Sequence, residues 1–300
     1  MEVDAIVEMF SRSEELHGIK YSNYIGDGDS KTFKGIVDSN SYKDLTVRKK
    51  ECIDHVQKRM GKQFRDLKKT TKGLDGKGKL TASLIDELTI YYGLAIRRNH
   101  DSVQKMRDAI WATLYHKIST DKNSQHDNCP QGADSWCSWQ KAKAASKLHE
   151  YTYKEPLSDI VYQAIKPIYE NLSTDDLLTR CLGGYTQNNN ESLNALVWSI
   201  APKRNSAGKI ITDIATDVAI CSFNDGYTSL MQIMQVMNII VGTNCNNYCV
   251  EADEHRIKKA KHSLTDAAKE ARKDLKHARK KSDEADEEAE GQLYGAGIAD

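Results

Sequence analysis

The sequence predicts an α/β fold that is mainly helical, and three observations carry that expectation. Apolar residues recur at helical spacing through most of the 300 residues, as in Val56, Met60, Phe64 and Leu67. A short β-type run within YSNYIGDGDS, residues 21–30, stops abruptly at Asp27 and Asp29, and a helical pattern follows. A second candidate strand occupies residues 47–53, ahead of a basic helix. In open α/β sheets reactive groups gather at the carboxyl ends of strands, where the chain turns toward a helix, so the acidic turn at 27–29 is the first candidate site.

In chain order, residues 2–18 read as an amphipathic helix with Val3, Ile6, Val7 and Phe10 on one face. The strand through Ile25 follows, and then a helix over 30–37. The basic helix runs from His55 to about Thr71, and the glycine-rich stretch 73–78 ends it. Helical spacing resumes from Leu80 to about Ile118, through Leu84, Leu88, Met106, Ile110 and Leu114. After a loop over 121–134, further helices run to about Arg180. Two more are expected at 190–200 and 227–241; the apolar stripe of the second, Leu230 to Val241, is expected to be core. Residues 251–290 read as a charged, solvent-exposed helix and the last ten as a frayed tail.

Charge and cysteines narrow the function classes. Lys and Arg number 43 and Asp and Glu 43, so the chain is neutral overall. Residues 43–79 nonetheless hold 13 Lys or Arg against 5 Asp or Glu, a basic excess that suits phosphate contacts as well as a plain solvated helix face. Seven cysteines at irregular spacings and an acidic amino terminus point to an intracellular chain with reduced thiols. No apolar run approaches the roughly 20 residues of a membrane span.

The acidic turn has a bland reading as well, because Asp and Gly favour turns for local reasons. An EF-hand loop is excluded, since Lys31 and Thr32 fall where a third oxygen ligand and the glycine belong. Glu191 is likewise open to two readings, as a metal ligand or as the return arm of a capping box with Asn188.

Three features stand in order: the acidic strand end at Asp27, the Cys52-x-x-His55 element in ECIDHVQKRM, and NNNESLNALVW with Glu191. With the helical insertion between the last two, this order resembles the Mutator-like transposase domain, of the DDE group, over most of the chain. The resemblance implies an incomplete RNase H-like core over 1–75, a large all-helical insertion over 76–180, the remainder of the core with the Glu-bearing helix over 181–250, and a helical carboxyl-terminal region over 251–300. It also implies DNA transposition and recombination in the nucleus, with Mg²⁺ or Mn²⁺ held by Asp27 and Glu191 and Asp29 as the fallback for Asp27. Hard cations prefer such carboxylate oxygens, and two ions clamp the attacking and leaving oxygens of a phosphodiester. Arg48, Lys58, Arg59, Lys62, Arg65, Lys68 and Lys69 are expected to hold DNA phosphates.

The first acid of the DDE triad has no counterpart in the sequence, so a fragment or decayed relic is expected. The alternative function is a non-catalytic, transposon-derived DNA-binding or interaction protein. Partners are DNA and, in an active assembly, further transposase copies; no membrane is involved. Zinc is the second metal expectation. Cys52 and His55 offer half of a tetrahedral site, and His126, Cys129 or Cys137 in HDNCPQGADSWC the other half; the alternative for each is core packing.

Overall fold

The computed structural model describes residues 2–26, 30–76, 78–268 and 271, and divides the chain into two compact units, Met1–Asn188 and Asn189–Asp300. The first unit opens with α1 (Glu2–His17), β1 (Asn23–Gly26), α2 (Ser30–Ser39) and β2 (Arg48–Glu51). The two strands pair in parallel, Asn23 opposite Arg48 and Gly26 opposite Glu51, so α2 is a βαβ crossover. Phe10 of α1, Ile36 of α2 and Tyr42 form a small core against this pair. The Tyr42 hydroxyl organises it. It lies 2.6 Å from the buried Ser13 Oγ and accepts from the Tyr21 amide at 3.1 Å, so the polar groups of this small core are satisfied.

The larger core is helical and local in origin. Val56, Met60 and Phe64 recur every fourth residue on α3 (Ile53–Thr70) and are fully buried. They pack with α4 (Ala82–Arg98), α5 (Val103–Ile118), α7 (Asp159–Leu172) and α8 (Asp175–Cys181) around Leu88, Tyr92, Ile110, Ile165, Tyr169 and Leu178. The buried Tyr92 hydroxyl donates to Leu172 O at 2.8 Å. The helical spacing read from 80 to 118 is two helices. Asn99 ends α4, and the Ser102 side chain caps α5 by accepting from the Lys105 amide. Between α5 and α7 lie only α6 (Ser138–Ala144) and one 3₁₀ turn, Leu148–Glu150.

The second unit carries most of α9 (Asn188–Ile200), then α10 (Lys209–Asp225), α11 (Thr228–Val236) and α12 (Thr243–Ser263). The sequence reading passed over α10. The expected helix over 227–241 ends early because Asn238 takes a left-handed φ of 57°. The far end of its stripe is not core: within this unit Val236 is 84% and Ile240 94% exposed. The charged helix is confirmed as far as Ser263, whereas the frayed tail lies outside the described residues.

The turn from α10 into α11 has a carboxylate built beneath it. Gly226 takes φ +90° and ψ −174°, a conformation that suits only glycine. Asp253 of α12 then accepts from the amides of Tyr227 at 2.8 Å and Thr228 at 3.1 Å. Burial opposes the charged form, but the two N–H groups and Arg256 outweigh it, and the Asp253 pKa is lowered. A Cβ on Gly226 would stand 2.5 Å from Asp253 Oδ1. Gly226→Ala is therefore expected to destabilise this unit by about 1–3 kcal/mol and to speed exchange of the Thr228 amide. Asp253→Asn should cost about 1 kcal/mol at neutral pH. A carboxylate with a lowered native pKa stabilises above its unfolded value, and that stability is lost as pH falls through the native one. The gap between wild type and Asp253→Asn in thermal melts should accordingly narrow toward pH 3; a constant gap would show that the charge plays no part.

Among the described residues no helix is long and apolar enough to cross a membrane.

Candidate metal centre and nucleic-acid interface

At the carboxyl ends of the parallel strands the chain from Arg180 to Gln187 returns to the sheet. Gln187 Nε2 donates to Ile25 O at 2.9 Å, and the Ile53 amide donates to Tyr185 O at 3.1 Å. Gly183 and Gly184 make the turn before it, at φ +99° and +70°, and the Gly183 amide donates to His100 O. Glu51, the last residue of β2, is 2% exposed. Its Oε2 accepts from Arg59 at 2.6 Å and its Oε1 from Arg180 at 3.2 Å. Both oxygens are thus engaged by arginines, so Glu51 is not free to ligate a cation.

Asp27 and Asp29 lie outside the described residues. Glu191 is an exposed residue in the first turn of α9, within the second unit. Cys52 sits at the start of α3 and is buried, with half-buried His55 one turn on.

The predicted basic helix forms as α3, and its phosphate candidates divide. Lys58, Lys62, Arg65 and Lys69, spaced by four, three and four, are all exposed and share one helical face. Among the described residues no ion pair joins Lys58, Lys62 or Lys69; Arg65 reaches Asp86 at 3.1 Å across an exposed pair. Arg59 belongs to the Glu51 network, and Lys68 pairs with Asp75 at 3.1 Å. Arg48 stands exposed at the opposite end of β2 from Glu51. The free positive face is therefore narrower than the sequence suggested.

The zinc expectation is corrected in its membership. His126, Cys129 and Cys137 do converge, but their fourth partner is His116, in the last turn of α5. Candidate ligand atoms of these four all lie within 4.8 Å of one another. Cys52 and His55 are not of the group. They lie where Asp54 pairs with Arg97, at the end of α4, whereas the cluster flanks Tyr91 and Glu87, reached through Trp136 and Lys117. Ten residues of helix separate Arg97 from Glu87, about 15 Å of rise. His116 carried no local signal: no short ligand spacing joins it to the loop, and a histidine near a helix end is ordinary.

His126, Cys129 and Cys137 are buried and His116 half-buried. The two Nδ1 atoms are 3.2 Å apart; Cys137 Sγ is 3.4 and 3.5 Å from them, and Cys129 Sγ 4.0 and 3.9 Å. The far nitrogen of His126, Nε2, lies 3.0 Å from Ser119 Oγ, which also accepts from the Gln125 amide. Trp139 stacks on His126, and Trp136 meets His116 edge-on. Burial lowers the His126 pKa and so keeps the ring neutral. The Cys129 thiol, His116 and the Gln140 amide pull the Cys137 thiol down against its own burial. The Cys137 thiol and burial push the Cys129 thiol up, while a neutral imidazole at His126 and an acidified thiol at Cys137 are protonation states that metal ligands need.

Neither the curated proteins nor the solved structures contain a match to the chain. Residues 1–137, from α1 to Cys137, match the family model of the Mutator-like transposases, and this part of the chain is similar to that family.

Proposed function

We propose that this transposase-derived protein binds duplex DNA through the exposed basic face of α3, with Asp27 and Glu191 as carboxylate ligands for Mg²⁺ or Mn²⁺ in a DDE-type, RNase H-like core. The observation that carries the reading is the basic stripe of Lys58, Lys62, Arg65 and Lys69 within the matched segment. The parallel pair supports the core: the chain just before α9 is tied to the end of β1 through Gln187 and Ile25, and Asp27 directly follows that strand. The donor chemistry fits a hard cation, because Glu51 is taken up by arginines and Asp27 and Glu191 offer carboxylate oxygens. When bound, such ions stabilise charge on the attacking and leaving oxygens of a phosphodiester. The chain's own contribution is to hold the duplex by its phosphates and to place the carboxylates; a complete triad needs one acid more than Asp27 and Glu191. A protein acting on DNA in this way belongs in the nucleus.

The test is DNA binding by the full chain across a salt series. Each neutralised phosphate releases counterion, so log affinity should fall linearly with log salt concentration, by about 0.9 per phosphate held. Reversing Lys58, Lys62 and Lys69 to Glu should weaken binding to unrelated duplexes equally and remove roughly 2 to 3 units of that slope. No binding at low salt would overturn the interface. Mg²⁺-dependent nicking that Asp27→Asn and Glu191→Gln abolish supports the catalytic half; binding with no nicking rejects it and leaves the DNA-binding alternative.

A further inference from the structure

We propose that His116, His126, Cys129 and Cys137 bind one Zn²⁺ ion in a closed Cys₂His₂ site whose role is structural: it holds the segment between α5 and α7 on the helical core. This lies beyond the DNA reading and stands apart from the carboxylate site.

The shape of the cluster fits such an ion. For metal–nitrogen and metal–sulfur bonds of about 2.0 to 2.1 and 2.3 Å, a tetrahedral site separates its nitrogens by about 3.3 Å and each nitrogen from each sulfur by about 3.6 Å. The nitrogens here are 3.2 Å apart and the four nitrogen–sulfur distances run from 3.4 to 4.0 Å. A hydrogen-bond chain explains this less well. One proton between the imidazoles satisfies a single pair, yet each Nδ1 faces both sulfurs as well. Convergence of all four on one point is what a common ion produces.

The segment also adds no buried side chain to the main apolar core. Nineteen residues between Ile118 and Ser138 form neither helix nor strand, longer than structureless loops normally run in compact domains. The main apolar core takes buried residues as far as Leu114 and resumes with Leu157 packed against it and Val161 within it. Nothing between contributes. The buried residues of this stretch are polar or thiol: Ser119, His126, Cys129, Ser135, Cys137 and Gln140. Apart from half-buried Trp136 and Trp139, the segment has little apolar burial to offset its ordering entropy, and a metal does so in small folds.

Ligand chemistry selects the ion and the role. Two thiolates and two imidazoles in a tetrahedron suit Zn²⁺, whereas Mg²⁺ takes oxygen ligands. Two thiolates neutralise the dication, and the two thiol protons pass to solvent on binding. All four positions are filled by side chains, which is the arrangement of structural sites; catalytic zinc keeps one position open. The Ser119 hydroxyl next to His126 Nε2 fixes that ring with Nδ1 turned inward.

The experiment uses the full chain under reducing conditions. Titration with Co²⁺ as the probe is expected to saturate at one ion per chain, with the visible bands of a tetrahedral centre and the near-ultraviolet charge transfer of two thiolates, and Zn²⁺ should displace it. Cys129→Ser should halve the charge-transfer intensity. His116→Ala should weaken binding at least tenfold, while His55→Ala leaves it unchanged. Failure of the wild-type chain to take up Co²⁺ tetrahedrally overturns the proposal, as does His116→Ala binding like wild type. Loss of the centre in His55→Ala would return the site to the Cys52–His55 pair.

Discussion

Replacing Arg59 and Arg180 together by Met is expected to destabilise the amino-terminal unit by about 3–5 kcal/mol, because it strands Glu51. Both oxygens of this buried carboxylate are held by arginine nitrogens, at 2.6 and 3.2 Å. An exposed ion pair would matter little, since water takes over for a lost partner. Here the Glu51 side chain is 3% exposed, so the lost partners leave a charge in a poorly solvated place. Arg180 also pairs with exposed Asp176, one helical turn back, and that contact adds little. The discriminating variant is Glu51→Gln in the double-Met background, which removes the stranded charge and should recover most of the loss in urea unfolding. A double variant within about 1 kcal/mol of wild type would mean that the Glu51 charge is compensated in some other way.

The network matters beyond stability. Glu51 is followed directly by Cys52 and α3, and Arg180 opens the stretch that carries Tyr185 and Gln187 to the strand ends. The same two arginines thus help hold the Arg180–Gln187 stretch at the ends of β1 and β2.

How much of this was legible follows from what a sequence encodes locally. The four-residue spacing of Val56, Met60 and Phe64 placed α3, and the acidic stop after Ile25 placed the end of β1. The order of motifs about Asp27, Cys52–His55 and Glu191 led to the resemblance over most of the chain; the family model matches residues 1–137, which hold the first two motifs and not Glu191. Ion pairing was not legible. Arg59 and Lys58 are adjacent and alike in type, yet one faces Glu51 and the other solvent, because neighbours on a helix point about 100° apart. The metal cluster was read as three of four ligands. The loop HDNCPQGADSWC announces His126, Cys129 and Cys137 by composition, but the fourth ligand comes from the helix that the loop folds back on. Sequence proximity favoured Cys52 and His55 as a ready-made pair; chain return chose His116. The stripe from Leu230 to Val241 failed for a different reason. Periodicity reports amphipathicity, and Asn238 ended the helix before the pattern did.

Removing zinc is expected to open the segment 119–156 while the helical core stays closed. Apparent binding free energies of structural zinc sites reach about 10–16 kcal/mol, against roughly 1 kcal/mol for a hydrogen bond such as that from Gln140 Nε2 to His126 O. The segment has anchors at its base: the Leu157 amide donates to Lys117 O at 2.9 Å, and Lys117 pairs with Glu87 at 2.8 Å. Neither depends on the ion. Opening should therefore be local, with Phe64, Tyr92 and Tyr169 still packed. Hydrogen exchange with and without a strong chelator reads this directly. The amides of Cys129, which donates to His126 O, and Cys137, which donates to Ser135 Oγ, should lose protection. A thousandfold loss corresponds to only about 4 kcal/mol of the metal free energy, so the change should be at least that large. Amides of α4 and α7 should keep theirs. Equal protection in both conditions would show that hydrogen bonds and ring stacking hold the segment without a metal. Collapse of α4 along with it would show that the ion supports the whole helical core, which its position beyond Leu114 and before Leu157 argues against.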